Sequence, residues 1–335
     1  MGSTTIAALL CEVASGEGLA CAGCMNPQIG FGEDLLGRVS YIMMSPGGAE
    51  ELTSAVREAL NELVCDVAES ADVIPADIVE LTVVGNPIMH HLVLGLNPVE
   101  LGQAPFALTT DRAVNVTAHE LGIGINRGGY VYALPCIAGH VGADTAGVLL
   151  AEAPFARDEV SLIVDVGTNA EILLGNRERI LAASSPTGPA FEGAQISGGQ
   201  RAAPGAIERV RIDPETLEPM NICIGNVRPK GICGSGLIIM VATLFEYGII
   251  NNLGKYDRDL DTPRIREKDG IYEYVLAWKD DTQIDRDIVL TEIDIENLIR
   301  AKGAIYSGCV TLLEEVGMSI QDLDQIILAG GFGSY

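Results

Sequence analysis

Basic and aromatic side chains are scarce in this chain of 335 residues. Lys and Arg total 21 against 46 Asp and Glu, so the formal net charge is −25, and only 5% of the residues are aromatic. Nucleic acids and anionic membranes are not expected as partners, because both are bound through clustered cations. With few aromatics, the 48% of hydrophobic residues predict a core of Leu, Ile, Val and Ala.

Long apolar runs and a secretory leader are also lacking. No stretch reaches the ~18 apolar residues that span a bilayer. The beginning of the chain has no basic residue and is interrupted by Glu12 and Glu17. We therefore expect a cytoplasmic protein without a membrane segment. The 8 cysteines are scattered among apolar neighbours, which predicts reduced core thiols rather than disulfides.

Glycine, in contrast, is abundant at 39 residues, and two glycine-bearing segments share one pattern. Residues 2–5 lead into an apolar strand, a turn at 15–18 and another strand. Residues 165–169 lead into the same succession, with its turn at 175–177. A repeat at half the chain length predicts two related lobes, at residues 1–152 and 158–335.

The repeat is unequal at its beginning. Aligning Gly2 with Gly167 leaves Asp165 and the strand that carries it without a counterpart in the first copy. We therefore expect a sequence that is cut short at its start. A glycine turn after a buried strand normally opens a helix, so the turn after the strand at 325–329 predicts that the end is cut short too.

Alternating strands and helices between the turns predict α/β layers. The clearest helix covers residues 50–69, and its buried face is expected to consist of Leu52, Val56, Leu60, Leu63 and Val67. Other strands are predicted at 79–84, 130–135, 161–165 and 325–329, and other helices at 234–247 and 295–316. The charged residues 255–287, which Pro263 and Gly270 interrupt, predict an exposed insertion with a hairpin.

The repeated turns have the composition of phosphate-binding loops. Successive N–H groups of a glycine turn can form an anion nest, and Asp165 at the strand end can hold the water shell of Mg²⁺. An ordinary hairpin entry with an Asx-type turn is the alternative, but the repetition favours phosphate. The residues predicted to bind the nucleotide are Gly2, Ser3, Thr4, Thr5, Gly167, Thr168, Asn169, Gly234, Ser235, Gly236, Gly330, Gly331 and Gly333.

Three carboxylates are the catalytic candidates: Asp165, Asp144 and Glu192. Asp144 and Glu192 lie in glycine-rich settings, where they could contact Mg²⁺ or a water, or make only local capping bonds. The turn at 234–236 could begin a helix that faces phosphate or simply begin a helix. The glycines at 330–333 could admit adenosine against the backbone or permit close packing of a strand on a helix.

Two further signals are weak. Cys21 and Cys24 form a CxxC that lacks the second ligand pair of a zinc or cluster site and falls on a predicted strand. His90 and His91 are adjacent on a predicted helix, so they point in different directions and make a poor metal pair. A helix-capping or partner-facing role is the expectation for these histidines.

The three glycine turns resemble the phosphate-1, phosphate-2 and adenosine motifs of the sugar kinase/Hsp70/actin superfamily. The fuller resemblance is to the reductive activators of corrinoid proteins, and it runs nearly end to end. The stretches that carry it lie at residues 26–28, 32–34 and 38, 85–92, 104–106, 139–144, 165–171, 188–193, 205–208, 231–236 and 328–333.

This resemblance implies a two-lobed, actin-like ATPase fold with duplicated β-hairpin and helix lobes. It implies ATP and Mg²⁺ as cofactors, and ATP-driven reduction of Co(II) to Co(I) in a corrinoid protein of a methyltransferase system. The electron would come from a ferredoxin-like donor or from an iron–sulfur cluster in an N-terminal domain, whose cysteine cluster is not in this sequence. A homodimer is left open. Two alternatives remain: a small-molecule kinase of the same superfamily, and a nucleotide-gated docking module that does not hydrolyse ATP.

Overall fold

The computed structural model describes residues 1–32 and 34–330, apart from the side chains of Pro189 and Glu192. The chain divides into two compact units, Met1–Ala153 and Pro154–Tyr335. Both units pack helices on β-sheets, which confirms the α/β class that the sequence predicts. Within the described residues, no helix combines the length and the apolar character needed to cross a membrane.

The first unit contains a hairpin and a separate mixed sheet. Its strands are β1 (Thr5–Cys11), β2 (Gly18–Met25), β3 (Glu80–Val83), β4 (Val114–Thr117) and β5 (Tyr130–Ala133). Its α-helices are α1 (Leu35–Met44), α2 (Gly48–Ser70), α3 (Pro87–Leu94) and α4 (Ala143–Glu152). β1 pairs antiparallel with β2, while β5 lies between a parallel β3 and an antiparallel β4.

Helix α2 joins the hairpin to the mixed sheet. The side chains predicted to form its apolar face are all buried: Leu52, Val56, Leu60, Leu63 and Val67. Most of this face packs in one cluster with Ile6 of β1 and Val131 of β5. Burial of such side chains is the main favourable term in folding, so this cluster holds the first unit together.

The second unit contains more strands and two long helices. Its strands are β6 (Ser161–Val166), β7 (Asn169–Gly175), β8 (Ile180–Pro186), β9 (Ala206–Ile212), β10 (Pro219–Cys223), β11 (Gly231–Ile232), β12 (Ile265–Lys268), β13 (Ile271–Ala277), β14 (Ile288–Thr291) and β15 (Gln325–Ala329). Its α-helices are α5 (Gly234–Glu246) and α6 (Glu292–Glu315). The sheets have the orders β15-β6-β7-β8, β10-β9-β11 and β12-β13-β14.

Short 3-10 helices occupy many connections in both units. They span Pro27–Gly30, Pro75–Asp77, Val99–Gly102, Ala118–Leu121, Pro154–Ala156, Pro189–Glu192, Ile224–Asn226, Lys279–Asp281 and Ile320–Asp322. Two of them, Pro75–Asp77 and Ile320–Asp322, occupy matching places, each between a long helix and a strand that pairs in parallel with its neighbour.

This match extends the repeat beyond the hairpins. After α2, the N–H of Val73 donates to Ala68 O at 2.9 Å, and after α6, the N–H of Met318 donates to Leu313 O at 2.9 Å. The same spacing that separates Val73 from Gly85 separates Met318 from Gly330. Each unit therefore repeats a hairpin, a long helix, a 3-10 turn, a strand and a glycine.

The two copies differ by one residue in the turn before the hairpin. Gly2 N donates to Thr5 O at 2.9 Å, whereas Gly167 N donates to Asn169 O at 3.0 Å. The first turn is therefore one residue longer. The gap-free alignment of the two segments is wrong beyond the glycine, and β1 matches β7 from Thr5 and Asn169 onwards.

The segment 255–287 is not an exposed insertion. It does form the predicted hairpin, β12 with β13, but β13 is a core strand whose Tyr274 and Val275 are fully buried. Some of its charges form ion pairs, such as that of Arg266 with Glu273 at 2.7 Å. The high charge of the segment led to a prediction of exposure, although Tyr274 of β13 belongs to the main apolar cluster of the second unit.

Helix α6 begins at Glu292, three residues before the predicted start, because the preceding Thr291 caps it. Thr291 Oγ1 accepts from Asp294 N at 3.1 Å, and Asp294 Oδ2 accepts from Thr291 N at 2.8 Å. The buried Asp294 also accepts from Ser197 N at 2.8 Å, which fixes the glycine-bearing loop before β9 to the helix. One carboxylate thus stabilises both the cap and the loop.

We expect Asp294→Asn to lower the free energy of unfolding by about 2 kcal/mol, because an amide cannot accept from both sides as the carboxylate does. Chemical denaturation of the two proteins measures this loss. Glu296→Gln on the exposed face of the same helix is the control and should change stability by less than about 0.5 kcal/mol. Equal stability of the Asp294 variant and the parent would contradict this role.

Candidate phosphate-binding turns

The first turn, residues 2–5, lies where the chain enters β1. Met1 sits beside β3, with its amino group donating to Val84 O at 2.7 Å. A Cβ added to Gly85 would lie 2.8 Å from Met1 O, so the glycine permits this close approach. The first unit therefore brings Met1, the residue before the turn, against Gly85, two residues after β3.

The second turn, residues 167–169, has an equivalent neighbourhood in the second unit. β15 pairs in parallel with β6, with Ala329 opposite Asp165. The next residue, Gly330, has φ of 82° and lies so close that an added Cβ would collide with the Asp165 carboxylate. The structure thus brings together three predicted elements: the strand-end carboxylate, the second turn and the first glycine of the last turn.

A second carboxylate lies opposite Asp165. Asp165 pairs with Glu171 in the antiparallel ladder, so both side chains lie on one face of the sheet. Ser184 Oγ donates to Glu171 at 3.3 Å from the next strand. One or two carboxylates with several waters suit Mg²⁺, so these residues fit the predicted ion. Among the described residues, no group of three or more His, Cys, Asp or Glu could hold a metal.

The turn at Gly234, Ser235 and Gly236 begins helix α5, as predicted. Its N-cap is the buried Cys233, which makes no side-chain cap bond, and the Sγ lies 3.3 Å from Ser235 Oγ. A Cβ on Gly236 would collide with Ile207 O of β9. Gly236 is therefore required for packing, and whether this helix end also faces phosphate remains a prediction.

Asp144 lies in the first turn of α4, beside Gly85, two residues after β3. Its N–H and that of Ala143 donate to Gly85 O, at 3.3 and 2.9 Å. Burial raises the pKa of the Asp144 carboxyl, and the N–H of Thr145, donating at 2.9 Å, opposes that rise. A carboxyl with a raised pKa is better suited to accept a proton near neutral pH than an ordinary surface Asp.

Several predicted site residues lie outside the described part of the chain. Gly331 and Gly333 of the last turn are among them. For Glu192, only the backbone is described, at the end of the 3-10 helix Pro189–Glu192. The roles predicted for these residues stay predictions.

The paired histidines are buried in α3 and do not face a partner. His91 Nδ1 donates to Pro87 O at 2.7 Å and Nε2 accepts from Thr109 N at 3.0 Å, which assigns a neutral ring. Neither ring nitrogen of His90 has a well-aligned hydrogen-bond partner among the described residues. Burial first, and then the neighbouring His91, lower the pKa of His90 to about 4, although the nearby Leu134 backbone opposes this.

The cysteines are free, as expected, but only some lie in the core. Cys136, Cys223 and Cys233 are buried, whereas Cys11, Cys21 and Cys65 are exposed. Cys21 and Cys24 lie three residues apart on β2 and therefore point to opposite faces of the sheet. Cys21 is exposed, while Cys24 packs against the core cluster of the first unit. They do not form a ligand pair.

Sequence reasoning missed the side chains that donate hydrogen bonds to the carbonyl groups of the two turns. Asn26 and Arg38 hydrogen-bond to carbonyls of the first turn, and Thr187 does so in the second. Asn26 directly follows β2 and Thr187 directly follows β8. A comparison of the two hairpin ends could have found these polar residues, but their target carbonyls cannot be read from spacing alone.

The duplicated hairpin, helix and strand, with glycine turns at matching ends, define the class of two-unit, actin-like nucleotide-binding proteins. The chain belongs to the RACo family. A family profile described as "RACo middle region" matches residues 1–153, and one described as "C-terminal domain of RACo the ASKHA domain" matches residues 159–335. These matches confirm the predicted actin-like fold and the resemblance on which it was based.

Two curated relatives and a solved structure agree with this assignment. The chain is 34% identical to "Corrinoid activation enzyme RamQ" of Eubacterium limosum, over 100% of this chain and 57% of the relative. It is 30% identical to "[Co(II) methylated amine-specific corrinoid protein] reductase" of Methanosarcina barkeri, over 60% and 37%. A "Reductive activator for corrinoid,iron-sulfur protein" matches with TM-score 0.88 and 40% identity, over 100% and 53%. The chain spans about half the length of these relatives.

We expect the buried His90 to make stability pH-dependent. Its folded-state pKa of about 4 lies below the ordinary value of 6.5, so the unfolded chain takes up the proton first. The stabilisation is complete above pH 6.5 and is lost as the pH falls towards 4. When the pH falls from 7 to 4.5, the free energy of unfolding of the parent should decrease by roughly 2–3 kcal/mol more than that of His90→Leu.

Denaturant titrations at both pH values measure this difference. His119→Asn is the matched control, because it removes an exposed histidine of the same unit. Parallel pH profiles for His90→Leu and the parent would show that His90 titrates normally in the folded protein.

Proposed function

We propose that this chain is the ATP-binding and ATP-hydrolysing part of a reductive activator. Its target would be a corrinoid protein of a methyltransferase system, in which Co(II) is reduced to Co(I). The observation that carries the proposal is the pair of glycine turns at matching hairpin ends, with Asp165 held against Gly330 beside the second turn. The names of the relatives support the target, since they describe corrinoid activation and Co(II) corrinoid reduction.

Both units contain groups that suit the proposed chemistry. The lobes at 1–152 and 158–335 would bind phosphates through the N–H groups of their glycine turns, with further contacts from residues 234–236 and 330–333. Asp165 would hold Mg²⁺ through water, and Glu171 lies on the same face to share that shell. Asp144 is the candidate proton acceptor for the attacking water, because burial raises its pKa. Glu192 is retained as a third catalytic candidate.

The reduction needs one electron for each cobalt, and ATP hydrolysis would supply the free energy for an unfavourable transfer. The electron would come from a ferredoxin-like donor or from an iron–sulfur cluster in a domain outside this chain. We propose that the protein is cytoplasmic, and a homodimer is compatible with this function. The part of this chain would be to couple nucleotide turnover to the corrinoid protein.

The first test is thermal unfolding with and without Mg-ADP. A ligand at ~100 times its Kd adds about 2.7 kcal/mol to native stability. At roughly 2–4 °C per kcal/mol, Tm should rise by several degrees. In Asp165→Asn we expect the Tm rise with Mg-ADP to fall to the level seen with ADP and EDTA, because the variant no longer holds the ion.

Asp158→Asn is the control for this test, since it removes an exposed carboxylate of the same unit and changes the net charge equally. It should keep the full response to Mg-ADP. A parent chain that unfolds cooperatively without any response to Mg-ADP would contradict nucleotide binding. A metal-dependent response retained in Asp165→Asn would contradict only the role of that carboxylate.

Turnover assays then separate this function from its alternatives. With a Co(II) corrinoid protein and a chemical one-electron reductant, the chain should raise the yield of Co(I) only when ATP is hydrolysed. The same effect with a non-hydrolysable ATP analogue would favour a docking module. Transfer of the γ-phosphate to a small molecule would indicate a kinase.

A further inference from the structure

Three carbonyl groups of the first turn, those of residues 2–4, are bound by Asn26 and Arg38. Asn26 Nδ2 donates to Gly2 O at 2.9 Å, Arg38 Nη2 donates to Ser3 O, and the backbone N–H of Asn26 donates to Thr4 O at 2.9 Å. Asn26 and Arg38 are fully buried. The three carbonyls therefore point into the interior of the first unit.

Arg38 is itself held by the surrounding backbone and side chains. Its Nη1 donates to Gln28 Oε1 at 3.1 Å and its Nε donates to Gly32 O at 3.2 Å. Gln28 in turn donates to Leu52 O of α2 at 2.8 Å, and its N–H donates to Asn26 Oδ1 at 3.0 Å. This network fixes the guanidinium of Arg38 and the amide of Asn26 against helix α2. Both groups therefore keep their positions if the turn moves.

A different residue makes the equivalent contact in the second unit. The buried Thr187 hydroxyl lies 2.6 Å from Gly167 O and 2.8 Å from Thr168 O, and shares its one proton between them. Thr187 follows the last residue of β8, and Asn26 follows the last residue of β2. Matching positions in the repeat thus carry unlike side chains that bind the same kind of carbonyl.

These contacts determine which way the N–H groups of the turns point. In a planar trans peptide the N–H points opposite to the C=O. When the carbonyls of the first turn face inwards, the N–H groups of Ser3, Thr4 and Thr5 are directed to the other side. The same holds for Thr168 and Asn169. A flipped peptide would instead present a carbonyl oxygen, which repels phosphate.

We infer that Asn26 with Arg38, and Thr187 in the second unit, are positioning residues for nucleotide phosphates. They hold the N–H groups of the turns outwards before the ligand binds. The entropy cost of ordering these peptides therefore does not reduce the free energy of binding. The inference rests on the proposed nucleotide function and adds to it the residues that orient both turns.

The test measures Mg-ADP affinity by calorimetric titration of the whole chain at a temperature where every variant is folded. Thr187→Val keeps the side-chain shape but removes the hydroxyl. It should weaken binding roughly tenfold, the loss expected for one hydrogen bond of about 1.4 kcal/mol. Thr187→Ser keeps the hydroxyl and should restore most of the affinity. Thr243→Val is the control, since it removes an equivalent hydroxyl bond, 2.8 Å to Ile239 O, inside α5.

The first unit provides an independent arm. Asn26→Thr would place at the end of β2 the hydroxyl that the second unit uses, whereas Asn26→Val places the same shape without it. We expect the Thr variant to bind Mg-ADP more tightly than the Val variant. Equal affinities in this pair would overturn the inference for the first turn even if both variants are less stable than the parent.

The remaining outcomes are distinct. Parent-like binding by Thr187→Val overturns the inference for the second turn and leaves nucleotide binding intact. Equal weakening in Thr187→Val and Thr187→Ser also overturns it, because the hydroxyl would then not matter. A parent chain that binds no Mg-ADP refutes the proposed function itself, and the inference with it.

Discussion

The parallel pairing of β15 with β6 is the contact on which the site in the second unit depends. The two strands are about 160 residues apart in sequence, yet their ladder places Gly330 directly against the Asp165 carboxylate. Closing so long a loop is entropically costly, and the apolar cluster between α6 and the sheet provides compensating burial. The carboxylate and Gly330 are therefore neighbours because of core packing, not because of any local preference.

The repeat supplies the same scaffold twice, but the two copies differ in chemistry. On the face where β6 and β7 carry Asp165 and Glu171, the matching position of β1 is Ala7, which is exposed. The first turn is one residue longer and is held by an amide and a guanidinium. The second is held by one hydroxyl. A duplicated backbone can thus keep the direction of its turn carbonyls while the length of the turn and the side chains that bind it diverge.

Much of this fold could be predicted from the sequence. The periodicity of α2 gave its buried face correctly, and the glycine turns revealed the repeat, because both signals are local. The burial of strand β13 was missed because ion pairs such as Arg266 with Glu273 allow charged residues to flank a buried strand. The start of α6 was misplaced because the capping bonds of Thr291 were overlooked. Contacts from Asn26 and Thr187 to the turns depend on tertiary register, which spacing does not encode.

A chain with a net charge of −25 can bind a polyanion only if the local field opposes the overall one. In the proposed nucleotide site, Arg38 would provide such a field indirectly. Its charge lies behind the first turn, on the carbonyl of Ser3, rather than in front of it. Hydrogen bonds in series polarise one another, so a cation bound to the carbonyl makes the N–H of the same peptide a stronger donor. The cation would then strengthen phosphate binding without contacting the phosphate, and without exposing a positive surface that other anions could use.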